Sequence, residues 1–337
     1  MLPFDHLRAL THGPGLFEHA RHAEPRPEHG YCLDDVSRAL VVVCREPDPT
    51  PEVEELKRRY LDFTLAAVQP DGTCHNRMHV SGHWSDDPAP GDWCGRALWG
   101  LGTATAHAAT PQTRAEALTG FRRAARGQPS VYLRESVFAA LGAAEVLAVQ
   151  PDENCARDLL AAVVSASGVP SQGPVDPIWP WPEPRLSYAN GAVVEALLLA
   201  GSVLPDPAAL KKGLGLLDFL LKIETQDGHL SVTPVGGRGP GETGPEFDQQ
   251  PIEVAALADA CARAYDLTGD ERWRDGVRMA WAWFLGDNDS RMPMVDLDTG
   301  GGFDGLHRHG RNNNQGAEST LAAISTAQQA RRLGVLA

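Results

Sequence analysis

Two kinds of segment alternate along the 337-residue chain. Six open on polar or acidic residues and continue rich in Ala, Leu and Val. They are GYCLDDVSRALVVV from Gly30, GDWCGRALWGLGTAT from Gly91, YLRESVFAALGAAEVLAV from Tyr132, LSYANGAVVEALLLAG from Leu186, FDQQPIEVAALADACARAY from Phe247 and NQGAESTLAAISTAQQARRL from Asn314. Small apolar residues nearly all round predict buried helices. Five others carry one apolar stripe and one charged face, the mark of an outer layer. They start at Glu52, Gln112, Glu153, Asp206 and Asp270, and Pro or Asp often stands at their starts. The segment from Phe4 to His22 is expected to supply a twelfth helix. Inner and outer helices in alternation predict an all-α fold, an (α/α)6 barrel or toroid, with residues 1–337 as one domain. A plain α-solenoid would show more even repeats and capped ends.

The connections separate the two ends of such a barrel. Those leaving a buried segment are short, such as REPDPTP, HAATP and VQPD. Four of those entering one are long, at 69–91, 167–185, 224–246 and 286–313, and hold most of the Gly, Pro, Trp and His. Long loops without secondary structure in a compact domain are usually functional. The expected cleft therefore lies over the N-termini of the inner helices.

Composition narrows the function. Lys and Arg number 30 and Asp and Glu 44, a formal net charge of −14, and no basic stripe suggests nucleic acid. No apolar run reaches the roughly 20 residues of a membrane span. The first residues show no basic and apolar signal-peptide pattern, and the six cysteines form no CxxC pair, so a cytoplasmic location with reduced thiols is expected. Walker A, GxGxxG and GxSxG motifs are absent, and no cofactor is expected.

Carboxylates and flat rings crowd the expected cleft. Asp34, Asp35, Asp92, Glu135, Asn190, Asp248, Glu253 and Glu318 stand at the starts of buried segments, with Gln249 and Gln250 beside Asp248. Tyr31, Trp84, Trp93, Trp179, Trp181 and Tyr188 belong to the same end. Rings stack on sugar CH faces, and carboxylates bind hydroxyls or carry protons. Each acid could instead be an N-cap or a complement to a helix dipole. Caps do not explain adjacent Asp34 and Asp35, nor acids on helices otherwise small and apolar. Cys74, His75, His79 and His83 would share a helix face for zinc, but Gly82 and flanking turn residues predict a loop. DLDTGGGFDG from Asp296 lacks the EF-hand spacing, so no metal site is expected.

GYCLDDVSRAL resembles a GYC-x-DDNARAL motif. HNRMHVSGHW followed by GDWCGRALWGLG resembles NFM…W…ED-x-x-GRALWALG, and WPWPEPRLSYANG resembles WPWFED-x-LTYDNAR. EFDQQPIEVAALADACARAY with GDERW, and NQGAESTLA, are nearly unmodified. From Gly30 to Leu333 the chain resembles a bacterial family of glycosidase-like helical domains found fused to, or encoded beside, glycosyltransferases. The resemblance implies a six-hairpin (α/α)6 toroid and a carbohydrate context. An acid of the pattern is lost at Ala189, which leaves Asp35, Asp92, Asp248 and Glu318 as the expected catalytic acids.

The function expected is a carbohydrate-active enzyme, a glycoside hydrolase with two carboxylates acting on an oligosaccharide or polysaccharide. Inversion is favoured, with Asp35 as general acid and Asp248 as base. The alternative is a non-catalytic carbohydrate-binding or scaffold domain serving a glycosyltransferase. A zinc enzyme of the lanthionine-cyclase type is suggested by DWCG but lacks the Cys-His-Gly that should follow.

Overall fold

The computed structural model describes residues 2–128, 130, 132–168 and 178–336. Part of the long 167–185 connection, residues 169–177, lies outside them. Described contacts divide the chain into two compact units.

The first unit holds Leu7–Ala20 and Glu24–Ala166. After α1 (Asp5–Leu10), its helices are α2 (Leu33–Cys44), α3 (Pro51–Ala67), α4 (Asp92–His107), α5 (Pro111–Ala124), α6 (Leu133–Val149) and α7 (Asn154–Ala166). Here α4 packs against both α2 and α6, while α3, α5 and α7 each cover one of these three. The second unit holds Met1–His6, Arg21–Ala23 and Ser167–Ala337. Its helices are α8 (Asn190–Val203), α9 (Pro207–Ile223), α10 (Pro251–Thr268), α11 (Glu271–Phe284) and α12 (Ala317–Arg332). Here α10 packs between α8 and α12, with α9 and α11 outside.

Small residues let the inner helices approach closely. A Cβ added at Gly102 of α4 would run into the Gly142 carbonyl of α6. Gly102→Ala is therefore expected to cost about 2 kcal/mol in a thermal or denaturant unfolding measurement, as overpacking usually does.

The helix starts differ by layer. Four outer helices are capped by side chains at their N-cap positions: Thr50 accepts from the Val53 N–H, Thr110 from Thr113, Asp206 from Ala208 and Ala209, and Asp270 from Arg272. No side chain at the N-cap position makes that bond in α2, α4, α6, α8, α10 or α12. The inner acids stand inside the first turn or, for Asp248, ahead of it, so none is the N-cap that its type suggested.

The expected twelfth helix is only the six residues of α1. Gly13 at φ +50° turns the chain, and short strands follow: β1 (Thr11–His12), β2 (Gly15–Leu16), β3 (Ala20–Arg21) and β4 (Glu24–Pro25). Three of the four long connections, those at 69–91, 224–246 and 286–313, also hold short strands. β5 (Tyr31–Cys32) pairs with β6 (Arg77–Met78), β7 (Thr225–Gln226) with β8 (His229–Leu230), and β9 (Gly305–His307) with β10 (Gly310–Asn312). No helix among the described residues is long and apolar enough to cross a membrane.

Candidate active site

In the first unit the starts of α2, α4 and α6 bring Asp34, Asp35, Asp92 and Glu135 together around three buried arginines. Arg38 donates to Asp35 Oδ1 at 2.7 Å, and Arg96 Nε lies 3.0 Å from Asp34 Oδ1. Arg96 also lies 4.2 Å from the centre of the Phe138 ring. Asp92 feels Arg96, Asp34, Arg134 and Arg38. Burial, helped by Asp34, pushes the Asp92 carboxyl above the ordinary aspartate range despite these arginines, and its side chain keeps some exposure. Glu135 is also pushed up by burial, but Gln128 and Ser130 hold its two oxygens at 2.7 and 2.6 Å.

Asp35 does not suit the general-acid role. It is 4% exposed, and its Oδ1 is committed to a guanidinium. The three arginines were passed over in the sequence. Their signal was an Arg inside an otherwise small, apolar helix, where a charge needs a partner.

In the second unit Asp248 stands three residues before α10, on the strip that precedes it. Gln249 and Leu306 exchange backbone hydrogen bonds of 3.1 and 2.9 Å, which lays this strip against β9. Asp248 is 30% exposed, and His307 Nδ1 of β9 is 3.9 Å from its Oδ1. That oxygen is buried and has no hydrogen-bond partner among the described residues. Burial pushes the Asp248 carboxyl up, and Asp304 pushes the same way against His307 and a hydrogen bond from Gln250. A Cβ at Gly305 would collide with this carboxylate, so glycine there makes room for it. Asp304 Oδ1 in turn accepts the Gly316 N–H at 2.7 Å, just ahead of Glu318 in the first turn of α12.

Several expected sugar contacts instead hold structure. Tyr31 has no exposed surface and stacks on Phe17, ring centres 4.9 Å apart. Asn190 is buried at the start of α8, where its side chain donates to Glu253 at 2.9 Å and its backbone N–H donates to the same carboxylate. Glu253 also accepts the Ala189 N–H, so it caps α8 from α10. Gln249 is fully buried and donates to Asp289 Oδ2 at 2.6 Å, whose other oxygen faces His229 at 2.9 Å. With no surface to offer, these residues cannot meet a ligand directly. Trp181 is buried and donates to the Glu183 carboxylate at 3.3 Å.

Trp84, Trp93, Trp179 and Tyr188 keep partial exposure. Trp84 stacks on His75 at 4.9 Å, Trp93 donates to the Cys74 and Ala89 carbonyls, and Trp179 donates to the Glu183 carbonyl. Cys74, His75, His79 and His83 lie in the hairpin before α4 and share no helix face. Asp296 spends its carboxylate on the N–H groups of Asp298 and Thr299. Among the described residues, Glu18, Cys32 and Asp35 place possible metal-ligand atoms within 4.8 Å of one another. Arg77 and Arg38 already pair with the two acids, and burial pushes the Cys32 thiol well up, so the trio is poorly set for a cation.

No family model and no curated protein matches this chain. Solved structures do match. A sugar epimerase from a ruminal bacterium superposes with a TM-score of 0.72 at 13% identity, over 97% of this chain and 95% of that one. A cellobiose 2-epimerase from Bacillus thermoamylovorans gives 0.71 at 11%, over 97% and 96%. The fold is the (α/α)6 barrel. The barrel likeness extends to the cellulase Cel9M of C. cellulolyticum in complex with cellobiose, with a TM-score of 0.65 at 9% identity, over 94% and 87%.

Proposed function

We propose that this barrel is a carbohydrate-active enzyme that moves a proton on a bound saccharide, with Asp248 as the proton carrier. The observation that carries the reading is the state of Asp248. It is a partly open carboxyl with raised proton affinity and a buried oxygen that no donor among the described residues satisfies, and a histidine stands beside it. Leaving such an acceptor unmet costs about 1–3 kcal/mol. Perturbed carboxyls concentrate where catalysis needs them. The barrel fold adds support, because the proteins it resembles include sugar epimerases and a cellulase.

Glycoside hydrolysis is the first form of this reading. It needs a second carboxyl. Glu318, in the first turn of α12 of the same unit as Asp248, is the proposed candidate. Epimerisation is the second form, favoured by His307: two proton carriers 3.9 Å apart can remove a proton beside a sugar carbonyl and return one. A glycosyltransferase partner is proposed on the family resemblance alone.

A panel of oligosaccharides incubated in deuterium oxide distinguishes the forms. Hydrolysis yields new reducing ends. Epimerisation yields an isomer carrying deuterium next to the carbonyl. If the protein binds glycans from the panel and converts none, the enzyme reading fails and the binding-domain reading replaces it.

A further inference from the structure

We propose that the β9–β10 hairpin binds a negatively charged group, a carboxylate or a sulfate ester, on the saccharide held at Asp248. The proposal rests on Asp248 being the sugar site. The hairpin reads HRHGR from His307 to Arg311, four basic side chains without an acid, in a chain with 44 acids and 30 lysines and arginines. Its register pairs Gly310 with His307 and Arg311 with Leu306, and Leu306 is bound through its backbone to Gln249. The hairpin is therefore fixed against the strip that carries Asp248.

Two of the four side chains are already employed. His307 faces Asp248, and Arg311 lies over the Phe303 ring and donates to the Pro293 carbonyl. Arg308 and His309 are not. Both are exposed, and among the described residues no carboxylate pairs with either. Arg185, Arg272 and Arg332 of the same unit, by contrast, pair with Glu242, Asp218 and Asp266. The Arg308 guanidinium lies 5.1 Å from the centre of the Phe247 ring, the residue before Asp248. That cation–π contact holds the guanidinium in place without using its hydrogen-bond fork. A planar fork so presented matches a carboxylate or sulfate in two parallel bonds. An acidic saccharide seated at Asp248 would bring such a group within its reach.

Calorimetric titration tests this with four probes: a tetragalacturonate, its carboxyl-reduced neutral counterpart, a sulfated disaccharide and its desulfated form. The wild type should bind at least one anionic probe more tightly than its neutral counterpart. Arg308→Gln should shrink that preference about tenfold, the worth of one charge-assisted contact, while Arg308→Lys restores part of it. Which anionic probe wins separates carboxylate from sulfate. The proposal is overturned if neutral probes bind as tightly, if Arg308→Gln leaves the preference unchanged, or if no anionic probe binds. Its failure is distinct from that of the enzyme reading. Turnover without anionic preference sinks only the hairpin proposal, and anionic preference without turnover sinks only the enzyme.

Discussion

Asp248→Asn is expected to lower turnover of the saccharide substrate by about 10² or more while leaving the unfolding midpoint near that of the wild type. A general acid or base contributes typically 10²–10⁴-fold, and the asparagine side chain keeps the shape while losing the proton site. The fold should tolerate the change, because Asp248 is neither a helix cap nor part of a buried ion pair. The pH profile adds a second check. A base works only when deprotonated, so kcat/KM should fall as pH drops through the Asp248 pKa. Burial and Asp304 place that fall above the ordinary aspartate value. Turnover of Asp248→Asn within a few-fold of wild type would remove the residue from the chemistry. Asp35→Asn is the contrast. It weakens the buried pair with Arg38, so its effect should fall first on stability.

Arg96→Met is expected to destabilise the protein by about 3 kcal/mol, read from denaturant unfolding with an unchanged slope. Removing one member of a buried ion pair leaves the other charge uncompensated, at a cost of about 3–5 kcal/mol when both are fully buried. Asp34 keeps some exposure, which brings the figure to the low end. The substitution also removes the guanidinium from the Phe138 ring. Adding Asp34→Asn to Arg96→Met should recover part of the loss, because it removes the stranded charge. A full 3 kcal/mol loss in the double variant would show that the pair itself contributes little and that packing around Arg96 dominates.

The alternation of small, all-round apolar segments with one-sided amphipathic ones was enough to read the barrel. Helices that pack on neighbours at both sides cannot carry bulk, as Gly102 against Gly142 shows, whereas helices that face water must carry charge. The outer-layer caps Asp206 and Asp270 were legible as an Asp at the start of each segment, since each satisfies N–H groups only a few residues away, whereas Thr50 and Thr110 were not. What the segment from Phe4 to His22 would do was not legible, because a short helix and a glycine turn share its composition. The site was legible in residue type and not in role. Asp35, Asp92 and Asp248 look alike in a sequence, and the partner that distinguishes them comes from elsewhere in the chain or from the folded turn. Arg38 closes on Asp35 only when α2 is wound, Asp34 and three arginines crowd Asp92, and β9 carries His307 to Asp248 across about 60 residues of sequence. Gln249 and Asn190 were read as sugar contacts because amides suit hydroxyls. Burial settled them as struts, since a buried amide must spend its hydrogen bonds on the protein around it. Local pattern thus determined the helices and their layers, while tertiary packing decided which acid is open and which is paired, because exposure and charge neighbours are properties of the folded chain alone.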